Sequence, residues 1–110
     1  MAFMSNREVN ADAYVIKVTE EPGDTISTTR ITVGTTSVTL IAVNTNRRNL
    51  MLRNLSATGT IYITGTSPAT TTTSFPILPG EVLGDLRYSG NLYAIASEAG
   101  VSIALFEIIA

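Results

Sequence analysis

From Arg30 onward the chain alternates between apolar and polar positions. In "RITVGTTSVTLIAV" Ile31 and Val33 stand two apart, and after Gly34–Thr36 the rhythm resumes with Val38, Leu40 and Ala42. A two-residue period belongs to a strand with one face turned to a core, so two strands and a turn are predicted here. "NLMLRNL" (49–55) follows, then "SATGT" as a turn, then the strand "IYIT" (61–64). The Gly, Pro and hydroxyl content of "GTSPATTTTS" (65–74) marks a loop. "FPILPGEVL" (75–83) reads as two short strands about Pro79–Gly80, because proline presets φ and glycine accepts a positive one. "NLYAIAS" (91–97), the turn "EAG" and "VSIALFEII" (101–109) read as a closing hairpin. No stretch keeps a helical period between caps.

The expected fold is therefore all-β, an antiparallel β-sandwich of jelly-roll-like or Greek-key type with about eight strands. It occupies residues 31–110. Residues 1–30 differ in pattern and are expected to form an N-terminal arm or first strand, with Tyr14–Thr19 as the strand and "EPGD" (21–24) as its turn.

The last strand carries a surplus of apolar side chains. Val101, Ile103, Leu105 and Glu107 share one face, and Ser102, Ala104, Phe106 and Ile108 share the other. An antiparallel sheet commonly leaves one side in water. Burying Phe106 and Ile108 would each contribute about 1.5–3 kcal/mol, so their face is expected to meet a cover, either another element or another subunit.

"NRRNLMLRN" (46–54) concentrates three arginines. At a two-residue period Leu50 and Leu52 share a face with Arg48 and Asn54, while Met51 and Arg53 share the opposite one with Arg47 and Asn49. With the leucines inward, Arg53 stands on the outer face. Arg47 and Arg48 then lie in solvent, where the chain leaves a turn. The competing reading is a phosphate grip. A net charge of −2 and a pI near 4.9 oppose it, since the long-range field would repel nucleic acid. No aromatic series lies alongside to stack bases. A third reading has the outward arginines pairing with carboxylates across a protein interface.

Composition removes most chemistry. The chain has no cysteine and no histidine, which takes away thiolate sites, the commonest general base and the commonest metal ligand. Its single lysine, Lys17, is the only candidate amine base for a serine nucleophile. The carboxylates of "EEPGD" (20–24) suggest calcium, but such sites need more oxygen ligands than one turn offers. Thr70–Thr73 invites a sugar-binding reading, and the absence of tryptophan speaks against it. No cofactor, metal site or catalytic residue is expected.

Only 15% of residues are charged, against 45% hydrophobic, where soluble domains carry about 25% charged. A surface of threonine, serine and asparagine repels its neighbours weakly and suits packing against other proteins. The start, "MAFMSNREVN", lacks the basic and apolar regions of a leader, and no run reaches the length of a membrane span. The protein is expected to be used without crossing a membrane by itself.

The stretch "ITVGTTSVTLIAVNTNRRNLMLRNLSATGTIYITG", then "FPILPGEVL", "LYAIAS" and "VSIALFEI", resembles small β-sandwich structural proteins of tailed bacteriophage virions. The likeness runs from about residue 31 to 107 and includes a "PG" hairpin. It implies a head decoration or cement protein, made in the host cytoplasm and bound on the outer surface of the virion head. The partner it implies is the major capsid protein, with a homo-oligomer, a trimer among the options, and no direct nucleic-acid binding. Candidate interface residues are Phe3, Tyr14, Arg47, Arg53, Phe106, Ile108 and Ile109. Two alternatives accompany this reading: a collar, tail or fibre component that touches the host surface, and a carbohydrate-binding module.

Overall fold

The computed structural model describes residues 25–110. Eight strands follow in order: β1 (Thr25–Val33), β2 (Val38–Ile41), β3 (Arg47–Asn54), β4 (Ile61–Thr64), β5 (Phe75–Ile77), β6 (Val82–Leu86), β7 (Leu92–Ala96) and β8 (Val101–Ile109). They form two four-stranded sheets, β1-β8-β3-β6 and β2-β7-β4-β5, with every pairing antiparallel. The pairs β1/β8, β2/β7, β3/β6 and β4/β5 are those of one long ribbon doubled back between β4 and β5. Rolling that ribbon adds the contacts β3/β8 and β4/β7 and yields a jelly roll. The sandwich and its strand number agree with the sequence pattern. β1 begins at Thr25 and runs through the boundary drawn at residue 30. The segments 14–19 and 20–24, with Phe3, Tyr14 and Lys17, lie outside the described residues.

Two local expectations need correction. β7 and β8 do not form a hairpin, because they belong to different sheets. Leu92, Ala94 and Ala96 face Val101, Ile103 and Leu105 across the core, and Gly100, at φ 72°, helps the short link arch from one sheet to the other. The "PG" segment is likewise an arch, since β5 lies in one sheet and β6 in the other. Its turn closes where the Glu81 amide donates to the Leu78 carbonyl at 2.9 Å, with Gly80 at φ 77°. Among the described residues, β4 and β5 alone are consecutive strands that pair directly.

The connection between them, the threonine-rich loop, is held by its own polar groups. The Thr70 amide donates to Ser74 Oγ at 3.0 Å, and Ala69, itself buried, donates its amide to Ser37 Oγ at 2.8 Å. The core between the sheets comprises residues such as Val33, Leu40, Leu50, Leu52, Ile61, Ile77, Val101 and Ile103. Leu50 and Leu52 point inward, as their spacing predicts.

Candidate interaction surface

Arg47 departs from its expected place in solvent. It is 4% exposed, and its side chain is wholly enclosed. The cause is a bulge. Arg47 pairs with Ile109 and Asn49 with Ile108, so β3 spends two residues where β8 spends one. The extra residue shifts the phase of the alternation, and Arg47 and Leu50, three apart, both turn inward. The guanidinium then finds four bonds. Nε donates to Glu107 Oε2 at 2.8 Å, Nη1 to the carbonyls of Tyr88 at 3.0 Å and Gly90 at 3.2 Å, and Nη2 to that of Ala42 at 2.6 Å. A planar fork of donors suits such a set of acceptors. One side chain thereby ties β3 to β8, to the end of β2 and to the β6–β7 link. No phosphate can reach it.

The opposite end of β3 carries a second buried polar side chain. Asn54 is fully buried, and its Nδ2 donates to the carbonyls of Gly59 at 2.8 Å and Ile77 at 2.9 Å. Its Oδ1 accepts from the Ser56 amide at 2.9 Å. The backbone of the same residue receives Gly80 N and donates to Glu81 O, both at 3.0 Å. Asn54 therefore fixes the "SATGT" turn and the β5–β6 arch together.

Between these two ends, the outer face of the β1-β8-β3-β6 sheet lies open. The register builds it in rows across the strands. Ile26, Ile108 and Asn49 form one row, Thr28, Phe106 and Met51 the next, and Arg30, Ala104, Arg53 and Val82 the third. Phe106 is 37% exposed, Met51 41% and Val82 50%. In the third row the small Ala104 sits between two exposed arginines whose strands are two spacings, roughly 9–10 Å, apart. Met51, Phe106, Val82, Arg30 and Arg53 border a shallow depression of about 540 Å³. Among the described residues neither of these two arginines is in an ion pair. The arrangement is an apolar floor with a positive charge on each side, which fits a partner bringing carboxylates beside apolar side chains.

Of the candidates named from the sequence, Arg53 and Phe106 come together here and Ile108 lies in the adjoining row. Ile109 shares its row with Thr25 and the inward Arg47, on the other face. Arg30, Met51, Val82 and Ala104 were missed. Their alternation places each on a face, but only the register between distant strands makes them neighbours.

A second opening of about 450 Å³ lies where the two sheets part, among Ile63, Phe75, Leu83, Leu86, Tyr88 and Leu92. Its polar groups are already engaged: the Tyr88 hydroxyl donates to Asn91 O at 2.8 Å, and Thr64 Oγ1 accepts from the Thr66 amide at 3.2 Å. No free polar group converges there to orient a small ligand. Among the described residues no cluster of His, Cys, Asp or Glu could hold a metal ion, and no helix is long and apolar enough to cross a membrane.

No protein-family model matches the chain, and no curated protein does. One solved structure is similar, a chain from Bacillus endospore appendages described as a novel family of disulfide-linked pili. It is 12% identical, the match covers 92% of this chain and 98% of that one, and the TM-score is 0.44. A likeness at that level carries neither topology nor role across.

Proposed function

We propose that this chain is a non-enzymatic structural protein that works by contact, and specifically a decoration or cement protein on the outside of a tailed-phage head. The observation that carries the reading is the outer face of the β1-β8-β3-β6 sheet, where Phe106, Met51 and Val82 stand exposed beside Arg30 and Arg53. The resemblance of residues 31–107 to small phage sandwich proteins supports the same reading. The buried Arg47 takes no part in this surface.

The mechanism follows from the geometry. Each copy lays its apolar floor on the major capsid protein and offers its two guanidiniums to carboxylates there. A copy that touches two subunits adds its interfaces to the work of separating them. Repeated over a shell, modest contacts act together against the outward pressure of the packaged genome. Self-association of the decoration protein would strengthen this further.

The test uses heads assembled without the protein. Purified full-length chain added to them should co-sediment and reach saturation. Raised salt should weaken that binding, because exposed charges are screened over about 10 Å at 0.1 M. The double variant Arg30→Glu/Arg53→Glu should bind poorly while melting at the wild-type temperature. Failure of the wild type to bind, or undiminished binding by the folded variant, overturns the proposal.

A further inference from the structure

Among the described residues the sandwich has four edge strands, and three are guarded. β2 carries a bulge, with a register shift between Thr39 and Ile41. β5 is only three residues long and contains Pro76, which has no amide to donate. β6 is bulged against β3 and includes Asp85 at φ 60°, its carboxylate accepting from Asn49 Nδ2 at 2.9 Å. Short length, proline, bulges and charge are the devices by which proteins keep sheet edges from pairing. β1 lacks the first three, and Arg30 is its one charged residue. It is nine residues long, pairs with β8 through nine unbroken partners, and contains neither proline nor an acidic residue. Among the described residues its other edge has no neighbour.

We infer that the β1 edge is a self-pairing surface, on which β1 of a second copy adds antiparallel to make one continuous eight-stranded sheet. The sequence "TISTTRITV" is suited to its own reverse. When Thr29 stands opposite its own counterpart, Thr25 meets Val33, Ser27 meets Ile31 and Arg30 meets Thr28. β-Branched residues then oppose one another at Thr25–Val33, Ile26–Thr32 and Thr29–Thr29, while the two copies of Arg30 are not directly opposite but lie on the diagonal, about 7–8 Å apart. The register with Arg30 opposite Arg30 places like charges together and is excluded. Every residue keeps its face, as a two-fold axis perpendicular to the sheet requires. Such an isologous contact closes after two copies, so the edge needs no guard once paired.

The pairing has a consequence for the surface described above, and to that extent it rests on the self-association included in the proposed function. Both copies turn the same face outward, so two depressions with their Arg30 and Arg53 side chains lie on one side of the dimer. A two-site ligand of that form is what bridging requires. The pairing is tested in solution without shells, so its failure and the failure of head binding are separable.

The chain has no cysteine, and an introduced thiol is therefore the only one present. In full-length Thr29→Cys the two copies of residue 29 stand directly opposite, with Cα atoms about 4.5–5.5 Å apart, a separation a disulfide spans. In Thr32→Cys the thiols lie six residues apart along the ribbon, roughly 20 Å. Mild oxidation should shift the first variant from 11.7 kDa to twice that mass on a non-reducing gel and leave the second unshifted. The unmodified protein should sediment as a dimer, and Thr29→Lys, an exposed position, should become a monomer that melts like the wild type. A monomeric wild type, equal cross-linking at both positions, or a Thr29→Lys variant that stays dimeric overturns the inference. So does an edge already occupied by the chain's own upstream residues, which would leave the thiol of the Thr29→Cys variant reduced.

Discussion

Replacing Arg47 by methionine separates a structural pin from an arginine that merely happens to be enclosed. The substitution keeps an unbranched stem of similar course and removes the charged fork. It leaves the Glu107 carboxylate, 12% exposed, without its cation, and strips a donor from each of the Tyr88, Gly90 and Ala42 carbonyls. Removing one member of a buried ion pair costs about 3–5 kcal/mol, because the other charge stays behind uncompensated. At roughly 4–8 °C per kcal/mol for a domain of this size, Tm should fall by at least about 12 °C. Glu107→Gln leaves the enclosed Arg47 charge without its carboxylate, but the amide oxygen can still accept from Nε and the three carbonyl bonds survive, so its cost should fall at the lower end of the same range, about 3 kcal/mol. Arg47→Lys should not rescue, because one ammonium cannot reach the four acceptors spread around the edge of the guanidinium plane. Urea unfolding with linear extrapolation gives the free energies, and calorimetry gives the melting shift. An Arg47→Met protein within about 1 kcal/mol of the wild type would refute the reasoning, because no pin of four bonds can be lost so cheaply.

Two further substitutions probe the same frame. Asn54→Leu leaves the Gly59 and Ile77 carbonyls and the Ser56 amide without partners; at about 1–3 kcal/mol for each unsatisfied buried group, the urea midpoint should drop substantially with the slope unchanged, and a loss under about 1 kcal/mol would contradict it. Gly59→Ala drives a Cβ into the Cγ2 of buried Val101 with Glu98 Cγ at 3.0 Å, so a thermal melt should show about 1–3 kcal/mol of overpacking; Gly34→Ala, with nothing within 4 Å, serves as the near-neutral comparison, and equal melts for the two would refute the account.

The strands themselves were legible because a two-residue period needs only local sequence. Leu50 and Leu52, or Val101, Ile103 and Leu105, announce an inward face whatever lies opposite. What the period cannot show is which sheet a strand joins. "LYAIAS–EAG–VSIALF" has the signature of a hairpin, yet an arch between sheets needs the same short turn, the same glycine and the same alternation on both sides. The two differ only in whether backbone groups or side chains meet, and distant partners decide that. Arg47 was misplaced for a different reason. A bulge adds one residue and inverts the phase of everything on its far side, and nothing in "NTNRRNL" signals it. The outer face was half visible: Arg53 and Phe106 could be named, but their meeting with Arg30 and Val82 depends on pairings between strands far apart in the chain.

Arg47 and Arg53 lie in the same strand, an even number of residues apart, and strict alternation would put both on one face. The single bulged residue between them sends one inward and leaves the other outside. This division gives β3 its particular character. Arg47 clamps its beginning, Asn54 clamps its end, and both clamps are buried side chains with several bonds each. Met51 and Arg53, on the outer side, therefore ride on a strand held at both ends and flanked by β8 and β6. Binding to a surface costs free energy wherever contact groups must first be ordered. Here the backbone beneath the contact groups is ordered beforehand by residues that never touch the partner. A loop bearing the same five side chains could offer equal charge and equal apolar area, but it would have to meet that ordering cost on every encounter.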